Sequence, residues 1–143
     1  MLLGLALIVA TVLIHVAGLE AVAYISIHRR RRIEQQHAKL PRLLAPIIGV
    51  VGLAFALLHG IEVALWAALY RSLGAFAWPE ALFYSLDSFT TRGESGLVLP
   101  TSWQMLGAIE AANGVLLFGL TTAFLFTVMQ VWWPMYMRRF DSD

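Results

Sequence analysis

The chain has 143 residues, of which 59% are hydrophobic and 13% are charged, and its mean hydropathy is +0.74. This balance is too apolar for a water-soluble domain and indicates an integral membrane protein, and the net charge of +1 gives no reason to expect a nucleic-acid partner. The absence of cysteine excludes disulfides, thiolate metal ligands and thiol chemistry.

The basic residues predict the orientation in the membrane. Eight of the ten Lys and Arg residues lie in two places, between the first two apolar runs and near the last residues. By the positive-inside rule both places are cytoplasmic, so we expect the N-terminus outside and a cytoplasmic tail over residues 138–143. The eight residues are Arg29, Arg30, Arg31, Arg32, Lys39, Arg42, Arg138 and Arg139.

The first apolar run, residues 1–27, predicts a transmembrane helix, because about 20 apolar residues cross a bilayer. It contains His15 and Glu20, which are about 140° apart around a helix and cannot form one site on their own. We expect each to pair with a neighbouring helix, since ionisable groups in membrane helices point into the bundle.

Residues 28–42 predict a basic cytoplasmic loop that ends at the stop signal Leu40-Pro41. Its first residues, Arg29 to Arg32, form a basic cluster beside the membrane. Such a cluster attracts anionic lipid head groups by roughly 1 kcal/mol per residue. The alternative is that the cluster only sets the topology.

The second helix is predicted over residues 43–70. His59 and Glu62 are three residues apart and therefore lie close to one face. We expect an inter-helix hydrogen-bond pair, with a metal or proton site as the alternative, because two ligands are too few to define a metal site. Small residues every four positions form a stripe on which another helix can pack: Gly52, Ala56, Gly60, Ala64 and Ala68.

A short helix is predicted over residues 79–90, since Pro79 and Glu80 are typical of a helix start. It is too short to cross a bilayer. Asp87 lies near its end, where the helix dipole disfavours a carboxylate, and this conflict makes Asp87 a candidate functional residue. The polar loop that follows, Thr90 to Gly96, is stable at membrane depth only if protein buries it or water fills the space beside it, so it predicts a pore or a binding cavity.

The third spanning helix is predicted over residues 103–135 and carries one acid, Glu110. Glu110 lies on the order of 10 Å below the outer end of this helix, near the depth expected for Glu62. We expect the two acids to share a hydrogen bond, which requires at least one to be protonated or otherwise compensated.

The segment Ala81-Leu82-Phe83-Tyr84-Ser85-Leu86-Asp87-Ser88-Phe89-Thr90-Thr91-Arg92-Gly93 and the glycines of the next helix together resemble the pore module of potassium channels. The chain is similar to a bacterial member of the two-pore-helix, pore-loop ion-channel superfamily. The resemblance covers residues 43–137 and leaves the first helix as an addition. It implies an all-α membrane protein with three transmembrane helices and a re-entrant pore helix and filter loop between the second and third. It also implies a four-fold oligomer, filter support from Tyr84 and Asp87, and bending of the inner helix at Gly114 and Gly119.

The family filter is Thr-Val-Gly-Tyr-Gly, whose carbonyls replace the ion's hydration shell. By position, Thr90, Thr91 and Gly93 match that pattern, whereas Arg92 and Glu94 replace apolar and aromatic residues. Two further positions depart from it: Ser95 in place of the second glycine and Gly96 in place of the following aspartate. A serine at the second glycine would take a positive φ at a cost of roughly 1 kcal/mol or more, so we do not expect strict potassium selectivity.

The resemblance, with these departures, implies a homotetrameric cation channel of the bacterial inner membrane that is non-selective or prefers divalent cations. We expect a buried ion pair between Arg92 and Asp87 behind the loop, and a ring of Glu94 carboxylates at the mouth. The expected partners are further copies of this chain and the bilayer. We expect no enzymatic activity and no cofactor apart from a permeant monovalent or divalent cation.

Two alternatives remain. One is a non-conducting channel homologue with a structural or regulatory role, whose loop is locked by salt bridges among Asp87, Arg92 and Glu94. The other is a metal site or a small membrane enzyme built from the intramembrane polar residues His15, Glu20, His59, Glu62 and Glu110.

Overall fold

The structure is a computed structural model that describes residues 1–35 and 44–137, and these residues form four helices and no strand. The helices are α1 (Leu2–Gln35), α2 (Leu44–Ser72), α3 (Trp78–Phe89) and α4 (Gln104–Met137). By length and composition, α1, α2 and α4 are each able to cross a membrane. The predicted all-helical class and the three candidate spans are therefore confirmed for the described residues.

The ends of α2, α3 and α4 lie within two residues of the predicted bounds, but α1 is longer than predicted. It continues to Gln35, so the first part of the predicted loop over residues 28–42 is helical. Arg, Glu and Gln are good helix formers and no Gly or Pro interrupts this stretch, whereas the basic cluster marks the membrane edge and not a helix end. The rest of that loop and the predicted tail over residues 138–143 lie outside the described residues.

Helices α1 and α4 run in the same direction. Asn113 Nδ2 of α4 donates a hydrogen bond to Thr11 Oγ1 of α1 at 2.8 Å. Further along both helices, Thr121 Oγ1 lies 3.2 Å from His15 Nε2. Because both contacts advance together along the two sequences, the helices are parallel.

Helix α2 runs antiparallel to α4. Its His59 contacts Thr121 of α4 at 3.1 Å, and its later residue Tyr70 contacts the earlier Glu110 at 2.7 Å. The three long helices therefore alternate in direction along the chain, as consecutive membrane spans must.

Helix α3 packs alongside α2 and α4 and not on top of them. Ser85 Oγ of α3 lies 2.8 Å from the carbonyl of Val63, nine residues before the end of α2 at Ser72. At about 1.5 Å per residue this places Ser85 about 14 Å in from that end. Ser88 Oγ donates to the carbonyl of Gly107 on α4 at 2.8 Å, so α3 is fixed on both sides.

The largest buried side chains lie where α2, α3 and α4 meet. Trp66 and Tyr70 of α2, Phe89 of α3 and Leu117 of α4 are all at most 1% exposed. They belong to one apolar cluster, which holds α3 in its place between the two spanning helices.

The two glycines predicted as bending points have different surroundings, and α4 continues as one helix through both. A Cβ on Gly114 would meet the carbonyl oxygen of Phe89, so this glycine allows the end of α3 to approach α4 closely. A Cβ on Gly119 would meet no atom within 4 Å. Gly114 therefore serves packing within the chain, and Gly119 does not.

The outward faces of the long helices are apolar and exposed, as Leu2, Val50 and Val115 illustrate with 60–83% exposure. The small-residue stripe of α2 is part of this outer surface, since a Cβ on Gly52 or Gly60 would meet no atom within 4 Å. No described helix of the same chain packs on these two glycines. Lipid or another copy can therefore reach them.

Candidate functional site

The Asp87 side chain, near the end of α3, binds several groups of the loop that follows this helix. Its Oδ1 accepts hydrogen bonds from Arg92 Nε at 2.6 Å and from the backbone N–H of Glu94 at 3.2 Å. Its Oδ2 accepts a bond from the backbone N–H of Ser95 at 2.9 Å. These bonds explain how a carboxylate is tolerated near the C-terminal end of a helix.

The expected ion pair between Arg92 and Asp87 forms, but it is not buried as a whole. The Asp87 side chain is 4% exposed, whereas the Arg92 side chain is 51% exposed. The Arg92 guanidinium lies 5.5 Å from the centre of the Phe83 ring, which adds a cation–π contact. The pair therefore fixes the carboxylate more firmly than it fixes the cation.

Two side chains of α3 near the loop have shifted pKa values. Burial raises the pKa of the Asp87 carboxyl, but the hydrogen bonds from Arg92 and from the N–H groups of Ser95 and Glu94 lower it by more, so the net pKa is below its ordinary value. Burial also raises the pKa of the Tyr84 phenol. At neutral pH Asp87 is therefore charged and Tyr84 keeps its hydrogen.

Helix α3 ends in a Schellman motif whose left-handed residue is Thr91. The backbone N–H of Arg92 donates to the carbonyl of Asp87, and that of Thr91 donates to the carbonyl of Ser88, both at 2.9 Å. Thr91 consequently has a φ of 58°. A β-branched residue in this conformation costs on the order of 1–2 kcal/mol, and such strain persists only where the surroundings hold it.

Ser95 does not take the positive φ that is expected at the second glycine of the potassium-channel filter. Thr91 is the only non-glycine residue with positive φ in the described chain, and the loop glycines Gly93 and Gly96 have φ of 67° and 71°. Gly93 and Gly96, the loop glycines with positive φ, are three residues apart. The two glycines of the potassium-channel filter are two residues apart. Gly96 adopts the positive φ in place of Ser95, so the strain of a serine with positive φ is avoided.

The remaining polar side chains of the loop face outward in the single chain. Thr90, Thr91 and Glu94 are exposed, and Glu94 forms no ion pair with any described residue. The salt-bridge lock expected in the non-conducting alternative is therefore limited to Arg92 and Asp87. A cavity of about 300 Å³ lies beside the loop and is lined by Tyr84, Asp87, Ser88, Gly93, Ser95, Gly96, Leu97 and Val98.

Tyr84, expected to support the loop, lies between the loop cavity and the spanning helices. Its ring packs edge-on against Tyr70 at 5.1 Å and tilted against Phe76 at 5.0 Å. A Cβ on Gly107 of α4 would meet the Tyr84 hydroxyl, so a glycine is needed there for α3 to pack this closely.

A second polar group lies inside the bundle, where α1, α2 and α4 meet. Glu62 Oε1 lies 2.9 Å from His15 Nδ1, and Glu62 Oε2 lies 2.9 Å from His59 Nδ1. Thr121 Oγ1 completes the group at 3.2 Å from His15 Nε2 and 3.1 Å from His59 Nε2. We refer to these four residues as the bundle cluster.

The expected hydrogen bond between Glu62 and Glu110 is not present. Glu110 instead accepts a bond from Tyr70 at 2.7 Å and contacts Ser85 at 2.5 Å. Ser85 Oγ also lies 2.8 Å from the carbonyl of Val63, the residue after Glu62, so depth does not separate the two acids. The expectation was wrong because Glu62 faces His15 and His59, whereas Glu110 faces Tyr70 and Ser85.

Glu20 is exposed and has no hydrogen-bond or ion-pair partner among the described residues, against the expectation that it pairs with another helix. The side chains of Arg29 to Arg32 lie outside the described part of the structure, so lipid binding there stays a prediction.

Sequence reasoning missed the polar residues of α4 that complete these groups. Asn113, which bonds Thr11, and Thr121 of the bundle cluster follow Glu110 at helical spacings of three and eleven residues. All three are buried on one face of α4. That spacing was the signal available in the sequence.

Comparisons with known proteins give no further guidance: no protein-family model, curated protein or solved structure matches this chain.

Proposed function

We propose that four copies of this chain assemble around the loop after α3 and form a cation pathway that is non-selective or prefers divalent ions. The observation that carries this proposal is the position of α3. It lies alongside the spanning helices, about 14 Å in from the end of α2, and the chain then returns through an irregular loop to the start of α4. This path supports a re-entrant pore helix in a bacterial inner membrane protein.

The exposed polar side chains of the loop support assembly. Irregular backbone at membrane depth needs surrounding protein or a water-filled space, and a single chain leaves Thr90, Thr91 and Glu94 uncovered. Further copies packed on the small residues of α2, such as Gly52 and Gly60, would surround the loop.

The loop chemistry supports a cation pathway without strict potassium selectivity. Glu94 has no ion-pair partner among the described residues, so four copies would place four free carboxylates near the axis, which attract cations and divalent ions in particular. The positions of positive φ differ from the spacing that the potassium filter implies. The ion pair with Asp87 binds Arg92 away from the proposed pathway.

Ion flux through purified protein in liposomes tests the proposal. The wild type is expected to carry K⁺ and Ca²⁺, and Glu94→Gln is expected to lower the Ca²⁺-to-K⁺ permeability ratio severalfold. Glu80→Gln is the matched control, since Glu80 is an exposed acid at the other end of α3. Intact tetramers that carry no ion, or equal ratios in both variants, would overturn the proposal.

A non-conducting homologue is the second candidate, and the exposure of Arg92 favours it. The Arg92 side chain is 51% exposed, and its positive charge beside the proposed pathway would repel cations. This candidate predicts that wild-type tetramers carry no ion, whereas Arg92→Gln tetramers do.

A further inference from the structure

We propose that His15, His59 and Glu62 bind a divalent transition-metal ion of the Zn²⁺ class inside the bundle. This site is separate from the loop, and the proposal does not rest on the chain being a channel. Two imidazoles and one carboxylate are a ligand set that zinc uses with a fourth position left open.

The ligand atoms already lie close together. One atom from each residue can be chosen so that all three lie within 4.8 Å of one another, and both imidazole Nδ1 atoms are 2.9 Å from Glu62 carboxylate oxygens. Tetrahedral zinc with bonds of about 2.0–2.2 Å places its ligand atoms about 3.3–3.5 Å apart. Each of these two N···O separations would therefore lengthen by about half an ångström around a bound ion.

The hydrogen bonds of Thr121 fit a metal-bound cluster better than a neutral hydrogen-bonded one. If both rings are neutral and donate from Nδ1 to Glu62, both Nε2 atoms need a donor, but the Thr121 hydroxyl has one hydrogen. A metal on both Nδ1 atoms moves the ring hydrogens to Nε2. The two lone pairs of Thr121 Oγ1 then accept both bonds, which is the outer-shell contact that metal-bound histidines typically make.

Burial of the cluster also favours a cation. His15 and Glu62 are fully buried and the His59 side chain is 12% exposed. A carboxylate inside a membrane bundle is costly unless positive charge compensates it, and a divalent ion supplies that charge.

The ligand side chains are held before any ion binds. The His59 ring lies 4.5 Å from Phe118 and 5.8 Å from Phe89, and it stacks on His15 at 5.3 Å. Two helices supply the three ligands and a third supplies Thr121, so the ion would join α1 to α2 against α4. Rigid support of this kind limits the reorganisation that binding requires.

Metal titration of the purified full chain in detergent tests the proposal. After removal of metal with a chelator, Co²⁺ is expected to bind at one equivalent per chain with visible absorption bands typical of tetrahedral coordination, and Zn²⁺ is expected to displace it. Glu62→Gln and His59→Gln are expected to abolish the bands. Thr121→Val is expected to weaken affinity by roughly 10–100-fold while keeping the bands, as an outer-shell change does.

The matched control is His28→Gln, because His28 is exposed on α1 and, among the described residues, contacts Tyr24 through its carbonyl and its ring. This variant is expected to bind Co²⁺ as the wild type does. Saturating Zn²⁺ should raise the melting temperature of wild type and His28→Gln alike, since a ligand of the folded state stabilises it. Wild-type protein that binds no stoichiometric Co²⁺ or Zn²⁺, or equal loss in His28→Gln, would overturn the site and leave a hydrogen-bonded cluster only.

Discussion

The bundle cluster and the loop after α3 both place polar groups in a strongly apolar chain, but they differ in how completely one chain satisfies them. In the bundle cluster, Glu62 contacts both histidines and Thr121 contacts both rings. In the loop, Asp87 is satisfied, whereas Arg92 is 51% exposed and Glu94 forms no ion pair with any described residue. All four side chains of the cluster therefore come from one chain and contact one another, whereas the loop has polar groups left for a neighbour, an ion or water.

The largest expected effect is on the bundle cluster. Glu62→Ala removes the acceptor of the buried His15 ring and the largely buried His59 ring, and is expected to destabilise the fold by about 2–6 kcal/mol. Glu20→Ala, at an exposed acid of α1, is expected to have little effect. Reversible unfolding in mixed detergent measures both. Equal losses in the two variants would show that the cluster is not the stabilising element.

The packing of α3 against α4 comes next. Gly114→Ala places a methyl group against the Phe89 carbonyl and is expected to cost about 1–3 kcal/mol. Gly119→Ala meets open space and is expected to be neutral or to stabilise by up to about 1 kcal/mol. The same unfolding assay compares the two variants. If Gly119→Ala were the more harmful, Gly119 would be the glycine that the fold requires.

At the loop, the Asp87 carboxylate should contribute more to local stability than the Arg92 guanidinium. Asp87→Asn removes a charged acceptor of three hydrogen bonds and is expected to cost about 1–2 kcal/mol locally. Arg92→Gln removes one partner that is half exposed and is expected to cost less than about 1 kcal/mol. Hydrogen exchange at the backbone N–H of Ser95 measures the difference. Faster exchange in Arg92→Gln than in Asp87→Asn would show that Arg92 stabilises the loop more than Asp87 does.

The smallest expected effect near neutral pH concerns protonation of the Asp87 carboxylate beside the loop. The pKa of Asp87 is lowered in the folded chain, so its stabilisation is present above the ordinary value of 3.8 and is lost as pH falls through the lower folded value. Protection of the Ser95 N–H should therefore be constant from pH 7 to about pH 5 and fall below the ordinary value. Asp87→Asn should show no such fall, and a transition near neutral pH would contradict the role of Asp87.

The same two regions show how far the sequence predicts the structure. The spacing of His59 and Glu62 placed them near one face of α2, and both contact other helices there, through Thr121 and His15. Their third partner, His15, depends on how α1 rotates against α2, which no local pattern specifies. Glu62 and Glu110 were paired by depth alone, whereas the rotation of α2 turns Glu62 toward His15 and leaves Glu110 to Tyr70 and Ser85.

In the loop, the sequence predicted the partner of Asp87 but not the backbone. The resemblance to the potassium-channel filter implied that Arg92 pairs with Asp87 behind the loop, and this pair also accounts for an acid near the C-terminal end of a helix. The strained residue is Thr91 and not Ser95, because the Schellman end of α3 fixes Thr91 first and Gly96 then provides the next left-handed position. Loop conformation follows from these tertiary hydrogen bonds, which residue type alone does not determine.

The most direct test of the proposed pathway is a cryo-electron-microscopy map of the assembled protein along its symmetry axis. We expect four copies, with the loops converging on the axis, Glu94 carboxylates at its rim and the Asp87–Arg92 pair behind them. An assembly whose axis is closed by apolar side chains, or in which the loops face away from it, would contradict the proposal.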